Sequence, residues 1–337
     1  MPRRLGVSVG FTASGKEREE LLEKVRIADQ LGVESIWAAE AWGREAVVGL
    51  TQLVLNTKRA KIGTAILNVF SRSPGLMAQT FATLDELSGG RMLIGLGTSG
   101  AYVIEHFHGI KFDKPVSRMR EYAEIINMVM RKEKLVYHGK VFNLERGFTL
   151  QNFDPVRSHI PIFFATLADD SIRLTGEVAD GWIPIYWPAS KIKDGSALIA
   201  EGAKRAGRDP RAITIAPSTQ IHVVKPGDDP QKARQDGRQP IAFYIGRMGV
   251  FYKRMFIRNG YGAETEACQA AWDRRDQPGA LAAISDKMLD DIAIIGDLKH
   301  CAAKLDERAK MGVELPLIGM PQGTPKQAGD ILEGLLK

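Results

Sequence analysis

Two hydrophobic periods take turns along the chain. LGVSVGF (5–11) is a short apolar run that predicts a strand. EREELLEKVRIADQLG follows it, with Leu21, Val25 and Ala28 at helical spacing and Gly32 as the stop. SIWAAE (35–40) predicts the next strand and 44–57 a helix. KIGTAILNVF (61–70) predicts a third strand, and the helix after it opens on Ser73-Pro74, a capping residue and a proline at the first helical position. RMLIGLG (91–97) predicts a fourth strand. Beyond a loop, Met119, Tyr122, Ala123, Ile126, Val129 and Met130 share one face of a helix over 116–131.

A less regular stretch, 132–159, precedes the second half. PIFFATL (161–167), GWIPIYW (181–187), ITIAPSTQIHVV (213–224) and ELPLIGM (314–320) predict four further strands, with helices over 169–179 and 190–206. The segment 229–311 reads as mostly helical, broken near 259–263 and 276–279, and a short helix closes the chain. Eight strands, each followed by helix, imply parallel strands joined by crossovers. In a chain of 337 residues the expectation is an α/β fold, a (β/α)8 TIM barrel. It would form a single domain over 1–337, with insertions at about 132–159 and 229–290. An open doubly wound sheet is the alternative.

Composition narrows function more than fold. With 44% hydrophobic and 26% charged residues the chain is ordinary globular protein. Its 46 Lys+Arg and 40 Asp+Glu leave a net charge of +6, but the basic residues are interleaved with acids (EREELLEK, LDERAK). No basic run with interleaved aromatics marks a nucleic-acid footprint, whereas an anionic small ligand would suit the surface. Cys268 and Cys301 fit neither a disulfide framework nor a metal pattern, and a reducing, cytoplasmic setting is the simplest match. The apolar run near the start ends at once in charged helix, so it reads as a strand and not as a signal peptide. Nothing approaches 18 unbroken apolar residues, so no membrane partner is expected. His106 and His108 are close but lack H-E-x-x-H spacing, and no metal site is expected.

GLGTSG (95–100) is a literal G-x-G-x-x-G. Its context argues against a Rossmann dinucleotide site. It follows the fourth strand, AYVIEHFHGIKFDKP delays the next helix, and the acid about 20 residues on, Glu121, falls inside that helix. In a barrel the motif instead ends a strand on the side where ligands bind. Gly95, Gly97, Thr98, Ser99 and Gly100 either turn the chain or let its backbone approach a flat ligand. Neighbouring strand ends carry Glu40-Ala41-Trp42-Gly43, Ala165-Thr166-Leu167 and Tyr186-Trp187. Together they suit a flat heteroaromatic ligand with a phosphate tail.

At these residues the chain resembles the luciferase-like flavin and deazaflavin oxidoreductases. SIWAAEAWG (35–43), IGTAIL with RSPGLMAQTFATLDELSGGRMLIGLGTSG (62–100), HGIKFDKPVSRMREY (108–122), GEVADGWIPI (176–185) and YIGRMG (244–249) carry the resemblance. It is most similar to the branch that uses coenzyme F420, an 8-hydroxy-5-deazaflavin, which includes methylenetetrahydromethanopterin reductase. The resemblance implies a bacterial luciferase-like barrel, a homodimer, and a deazaflavin ring at the strand C-termini. It places Glu40 at the ring's polar edge. It makes Ala65-Ile66 a bulge with a non-proline cis peptide behind the ring, and lets Asn68 face it. Gly97, Thr98 and Ser99 would meet the ribityl chain and phosphate, and Ala165, Thr166 and Leu167 would close around the tail. Ala168 stands where many relatives have Gly. Ala41 and Gly100 replace the His and the acid of the sugar-phosphate dehydrogenases, so glucose 6-phosphate is disfavoured and no catalytic residue is assigned. The implied reaction is hydride transfer between the deazaflavin and an electrophilic C=C, C=N or C=O group, with Trp42, Tyr102, His108 and Trp187 as candidate pocket walls. An FMN-dependent monooxygenase and a non-enzymatic flavin- or deazaflavin-binding protein are the alternatives.

Overall fold

The computed structural model describes residues 3–10 and 14–337; Phe11, the predicted end of the first strand, lies outside the described residues. The predicted barrel forms. Its strands are Gly6–Val9, Ser35–Ala38, Lys61–Thr64, Met92–Gly97, Ile162–Phe164, Gly181–Trp182, a seventh in two pieces (Thr214–Ile215 and Ser218–Val223), and Leu317–Gly319. Neighbours pair in parallel, and the first strand pairs with both the second (Gly6 with Ser35) and the eighth (Gly6 with Leu317). The seventh closes the ring: Thr214 pairs with Gly181 of the sixth strand and Ser218 with Leu317 of the eighth. Pro217 at this seam has no N–H to lose, and its carbonyl accepts from Leu317 N at 3.0 Å.

Strand alternation sorts the side chains into two layers. Trp37, Leu93, Phe163, Ile183, Ala216, Leu315 and Leu317 fill the lumen. Val7, Ile36, Ile62, Ile94, Ile162 and Ile318 face outward into the main core beneath the helices. The large lumen rings require small neighbours. A Cβ on Gly63 would stand 2.5 Å from the Trp37 ring.

The helices follow their start and stop signals. Lys16–Leu31 ends on left-handed Gly32, and Pro74–Ser88 starts where the Ser73 side chain accepts from Leu76 N. Four predicted stretches differ. The third strand is not continuous over 61–70: it stops at Thr64, passes through a cis Ala65–Ile66 peptide and resumes as Leu67–Asn68. A helix, Ala101–His106, begins directly at Gly100 where a loop is predicted; six residues are too few for a period to show. The stretch 132–159 holds an antiparallel hairpin, Leu135–His138 with Asn143–Phe148. Glu121, buried, ties down its turn by accepting from the N–H groups of Lys140, Val141 and Phe142 at 2.7–3.1 Å. Finally, Ala293–Gly296 is a ninth parallel strand inside the segment predicted as helix, paired with Gln220–Val223. A four-residue apolar run after a helix carries no periodic signal of its own.

Between the seventh strand and this ninth one lie the helices Pro230–Arg247, Val250–Arg258, Gly262–Asp273, Gln277–Ala282 and Asp286–Ile292. They bury a second core against Trp182, Trp187 and Ile215. Among the described residues no helix is long and apolar enough to cross a membrane.

Candidate active site

The strand C-termini form a rim with two unlike arcs. On the arc of strands two to five, Glu40 follows the second strand and is held by Arg72, with both guanidinium–carboxylate bonds formed at 2.7 and 2.8 Å. Its carboxylate also accepts from Ala46 N at 3.0 Å, and its own N–H donates to Ile66 O at 3.2 Å. Burial pushes the Glu40 carboxyl up, but the Arg72 bonds, the Ala46 N–H and the charges of Arg72 and His108 outweigh it and hold it below the usual carboxylate range. Arg72 in turn bonds Glu45, and its carbonyl accepts from Tyr122. The residue predicted to greet the ring is thus half of an ion pair. Arg72 was missed because an isolated Arg before a helix cap has no spacing signature.

The glycine motif has a structural duty that sequence did not show. A Cβ on Gly95 would fall 1.6 Å from Thr64 O, so only glycine fits beside the break in strand three. The Thr64 hydroxyl spans the same contact, accepting from Gly95 N at 2.9 Å and donating to Gly95 O at 2.8 Å. A Cβ on Gly97 would lie 3.0 Å from Ile66 side-chain carbons, so Gly97 and the Ala65–Ile66 bulge are in direct contact. Thr98 Oγ1 donates to Ser99 O at 3.1 Å, and Ser99 is left-handed with φ 56°.

The remaining predicted cofactor residues divide. Asn68, buried, uses Oδ1 to accept from Phe70 N and Ser71 N at 3.0 and 2.8 Å, which leaves its Nδ2 as the polar atom for a ligand. Thr166 does not offer its hydroxyl: Oγ1 pairs with Thr175 Oγ1 at 2.8 Å inside the fold. Leu167 presents a carbonyl already bonded by Arg258 at 2.6 Å. Ala165 borders Gly97, where an added Cβ would stand 3.5 Å from Ala165 Cβ. Buried polar atoms on this arc without a protein partner include Ser71 Oγ, His108 Nε2 and Arg118 Nε. The Arg118 guanidinium carbon stands over the Phe70 ring, 4.7 Å from its centroid.

The four predicted pocket walls also separate. Trp42 and Tyr102 are 52% and 72% exposed on the rim loops. His108 is partly buried near Glu40. Trp187 is no pocket wall: it is 5% exposed, packs edge-on against Trp182 at 5.0 Å and donates from Nε1 to Lys191 O at 2.9 Å.

On the arc of strands six to eight a cleft of about 480 Å³ opens, lined by Tyr186, Gln220, His222, Lys225, Asp236 and Met320 among others. Along Ser218–Val223, Gln220 and His222 share one face, from which Gln220 reaches Gly237 O, while Ile221 and Val223 pack on the main core; residues of both faces line the cleft. The Pro230–Arg247 helix covers the cleft's outer side, and Tyr244 and Tyr252 reach Tyr186 in a chain of edge-to-face contacts at 4.7 and 4.6 Å. Gln220 and His222 were not foreseen, because QIHV in a strand has no motif.

Comparison with known proteins follows the same outline. A model of the luciferase-like monooxygenase family matches residues 5–315. A Mycobacterium tuberculosis protein, provisionally named a coenzyme F420-dependent oxidoreductase, is 28% identical and covers 97% of each chain. A 5,10-methylenetetrahydromethanopterin reductase from Archaeoglobus fulgidus is 29% identical over 91% of each chain. The solved structure of the coenzyme F420 dependent tetrahydromethanopterin reductase from Methanopyrus kandleri superposes with a TM-score of 0.83 at 23% identity, over 99% of this chain and 98% of that one. At that identity the superposition speaks for the fold alone.

Proposed function

The chain belongs to the luciferase-like monooxygenase family, and from that premise we propose that it is a coenzyme F420-dependent oxidoreductase. In this reading it exchanges a hydride between the deazaflavin and an electrophilic C=C, C=N or C=O substrate. The observation that carries the reading is end-to-end similarity, over about nine-tenths of both chains, to relatives named for F420 or for a methanopterin reductase. The rim supports it. Asn68 Nδ2 is a polar atom without a protein partner on the arc where the ring is expected. The glycine loop and the Ala65–Ile66 bulge make a tight backbone floor there.

Bound F420 would supply a two-electron hydride carrier, so the protein needs no nucleophile or metal for that step. The chain's own residues bind and orient. The Glu40–Arg72 pair sets the charge at the ring's polar edge. Thr98 and Ser99 hold the ribityl chain and phosphate. Ala165 and Leu167 line the tail through backbone and apolar contact, without help from the Thr166 hydroxyl.

Titration of the purified protein with F420 and with FMN tests this reading. Micromolar or tighter binding of F420 is expected. FMN binding of that strength with none for F420 would overturn it in favour of a flavin monooxygenase. F420 binding without oxidation of the reduced cofactor by any carbonyl, imine or activated alkene would leave a binding protein.

A further inference from the structure

The cleft on strands six to eight holds an imidazole that the F420 reading does not use. His222 lies on the same face of strand seven as Gln220, opposite Ile221 and Val223, and lines the cleft. Its Nε2 is 2.7 Å from Gln220 Nε2, and the same Gln220 nitrogen is 3.3 Å from Gly237 O. An amide nitrogen donates to both neighbours at once. The reverse orientation would set two carbonyl oxygens against each other. Gln220 therefore donates to His222, whose Nε2 must carry a lone pair. The ring proton then sits on Nδ1, which has no hydrogen-bond partner in the described residues and is not shut away among the buried unpartnered atoms.

We propose that His222 is a catalytic residue that keeps a neutral ring and donates Nδ1–H to the oxygen or nitrogen of the reacting C=O or C=N bond, with Gln220 as the positioning residue that fixes its tautomer. This rests on the F420 reading and narrows its substrate class: an isolated alkene offers nothing for the donor to hold. As the hydride pair forms the new C–H bond, the π electrons move onto the heteroatom, where the Nδ1–H bond stabilises the growing negative charge. Water then protonates the heteroatom, and the ring-nitrogen proton lost on oxidation of the cofactor returns to solvent, so hydrogen and charge balance.

The surroundings suit a neutral ring. Burial lowers the His222 imidazole below its usual range, partly offset by Asp236. Asp236, from the Pro230–Arg247 helix, is neutralised by Lys232 at 2.8 Å. Lys225 and Asp228 from the following loop and Tyr186 from the loop after strand six complete the lining, while Ile295 of the neighbouring strand stands opposite His222.

Nitrogen-15 NMR of the full chain tests this with and without F420. The ring signal that disappears in His222→Asn should show the Nδ1–H tautomer at neutral pH in the parent. Gln220→Leu should redistribute the tautomers. Adding 2-cyclohexen-1-one to the cofactor-free protein should move the Nδ1–H proton resonance, and cyclohexene should not. A charged ring, an Nε2–H tautomer, or no response to the ketone overturns the proposal whatever the cofactor proves to be. In the F420-loaded protein, kcat for 2-cyclohexen-1-one should fall on the order of 100-fold in His222→Phe and recover partly in His222→Asn, which keeps an N–H donor. Turnover unchanged in both variants refutes the role of His222 and leaves the F420 reading standing. Absence of F420 binding refutes that reading and leaves the NMR result to decide the tautomer and the donor.

Discussion

The two arcs of the barrel rim are built differently. On strands two to five, each contact joins residues of the same or consecutive strand–helix units: Gly95 against Thr64, Glu40 against Arg72, Thr166 against Thr175. At Gly95 even a Cβ would fall 1.6 Å from Thr64 O. On strands six to eight, the wall is assembled from the far side of an insertion, through Tyr244, Tyr252 and Asp236, and it leaves a cleft of about 480 Å³. A closely packed arc can hold one cofactor in one pose. An arc made of an inserted segment can change its lining, and so its substrate, without disturbing the barrel.

That contrast breaks if substitutions in the packed arc are cheap. Gly95→Ala should be the most damaging, roughly 3 kcal/mol or more, because a Cβ 1.6 Å from a backbone carbonyl cannot be relieved by a rotamer change. Gly97→Ala meets flexible Ile66 carbons at 3.0 Å, and a loss of about 1 kcal/mol is expected. Urea unfolding of the two variants measures the difference; equal losses would mean that the floor can shift. Arg72→Ala comes next, on the order of 3 kcal/mol, since it strips the partner from a carboxylate whose side chain is 8% exposed. Glu40→Gln with Arg72→Met should regain part of that loss, and a purely additive double mutant would show that the two residues are not coupled.

The same contrast explains what could be read in the sequence. The eight strands, the Ser73-Pro74 helix start and the position of GLGTSG are written in hydrophobic periods and capping residues, and they emerged; the strand-three bulge came only with the family resemblance, since the residue pattern predicts a continuous strand over 61–70. Glu40 was placed at the rim, yet its partner Arg72 sits 32 residues away with no pattern linking them. The resemblance put Thr166 at the cofactor tail, but nothing in the sequence showed that its hydroxyl pairs with Thr175 of the next helix. Gln220 and His222 were invisible because their meaning comes from Gly237 and from the cleft, not from spacing. The Ala293–Gly296 strand was lost for a related reason: its edge is supplied by strand seven, more than seventy residues earlier.

The arcs should also respond to acid in different windows. His222 has a depressed imidazole, so the unfolded chain takes up a proton that the fold resists. Its contribution to stability is complete above pH 6.5 and lost as pH falls through the lowered value. Glu40 is a depressed carboxyl, and its contribution is complete above pH 4.5 and lost only below that, through its own lowered value. Unfolding midpoints between pH 7.5 and 5 should therefore decline in the parent, decline less in His222→Gln, and decline as before in Glu40→Gln. The opposite assignment of the two slopes would reverse the electrostatic account of the rim. This effect should be smaller than loss of the ion pair.

The smallest effects belong to the aromatic residues, and they test whether exposure marks function. Trp187 and Tyr102 look alike in sequence, each a large ring just past a barrel strand. In the fold Trp187 is enclosed and donates a hydrogen bond to Lys191 O at 2.9 Å, whereas Tyr102 is 72% exposed and touches the His106 ring at 4.9 Å. Trp187→Phe should cost about 1 kcal/mol for the unmade bond, leaving the KM for substrate unchanged. Tyr102→Ala should alter stability by less than about 0.5 kcal/mol. If Tyr102 nonetheless closes over substrate, its loss raises KM with kcat held, the signature of binding energy shared by ground and transition states. A Tyr102 variant with parental KM would remove the exposed helix after GLGTSG from the substrate site and leave strands six to eight as the wall that reads the substrate.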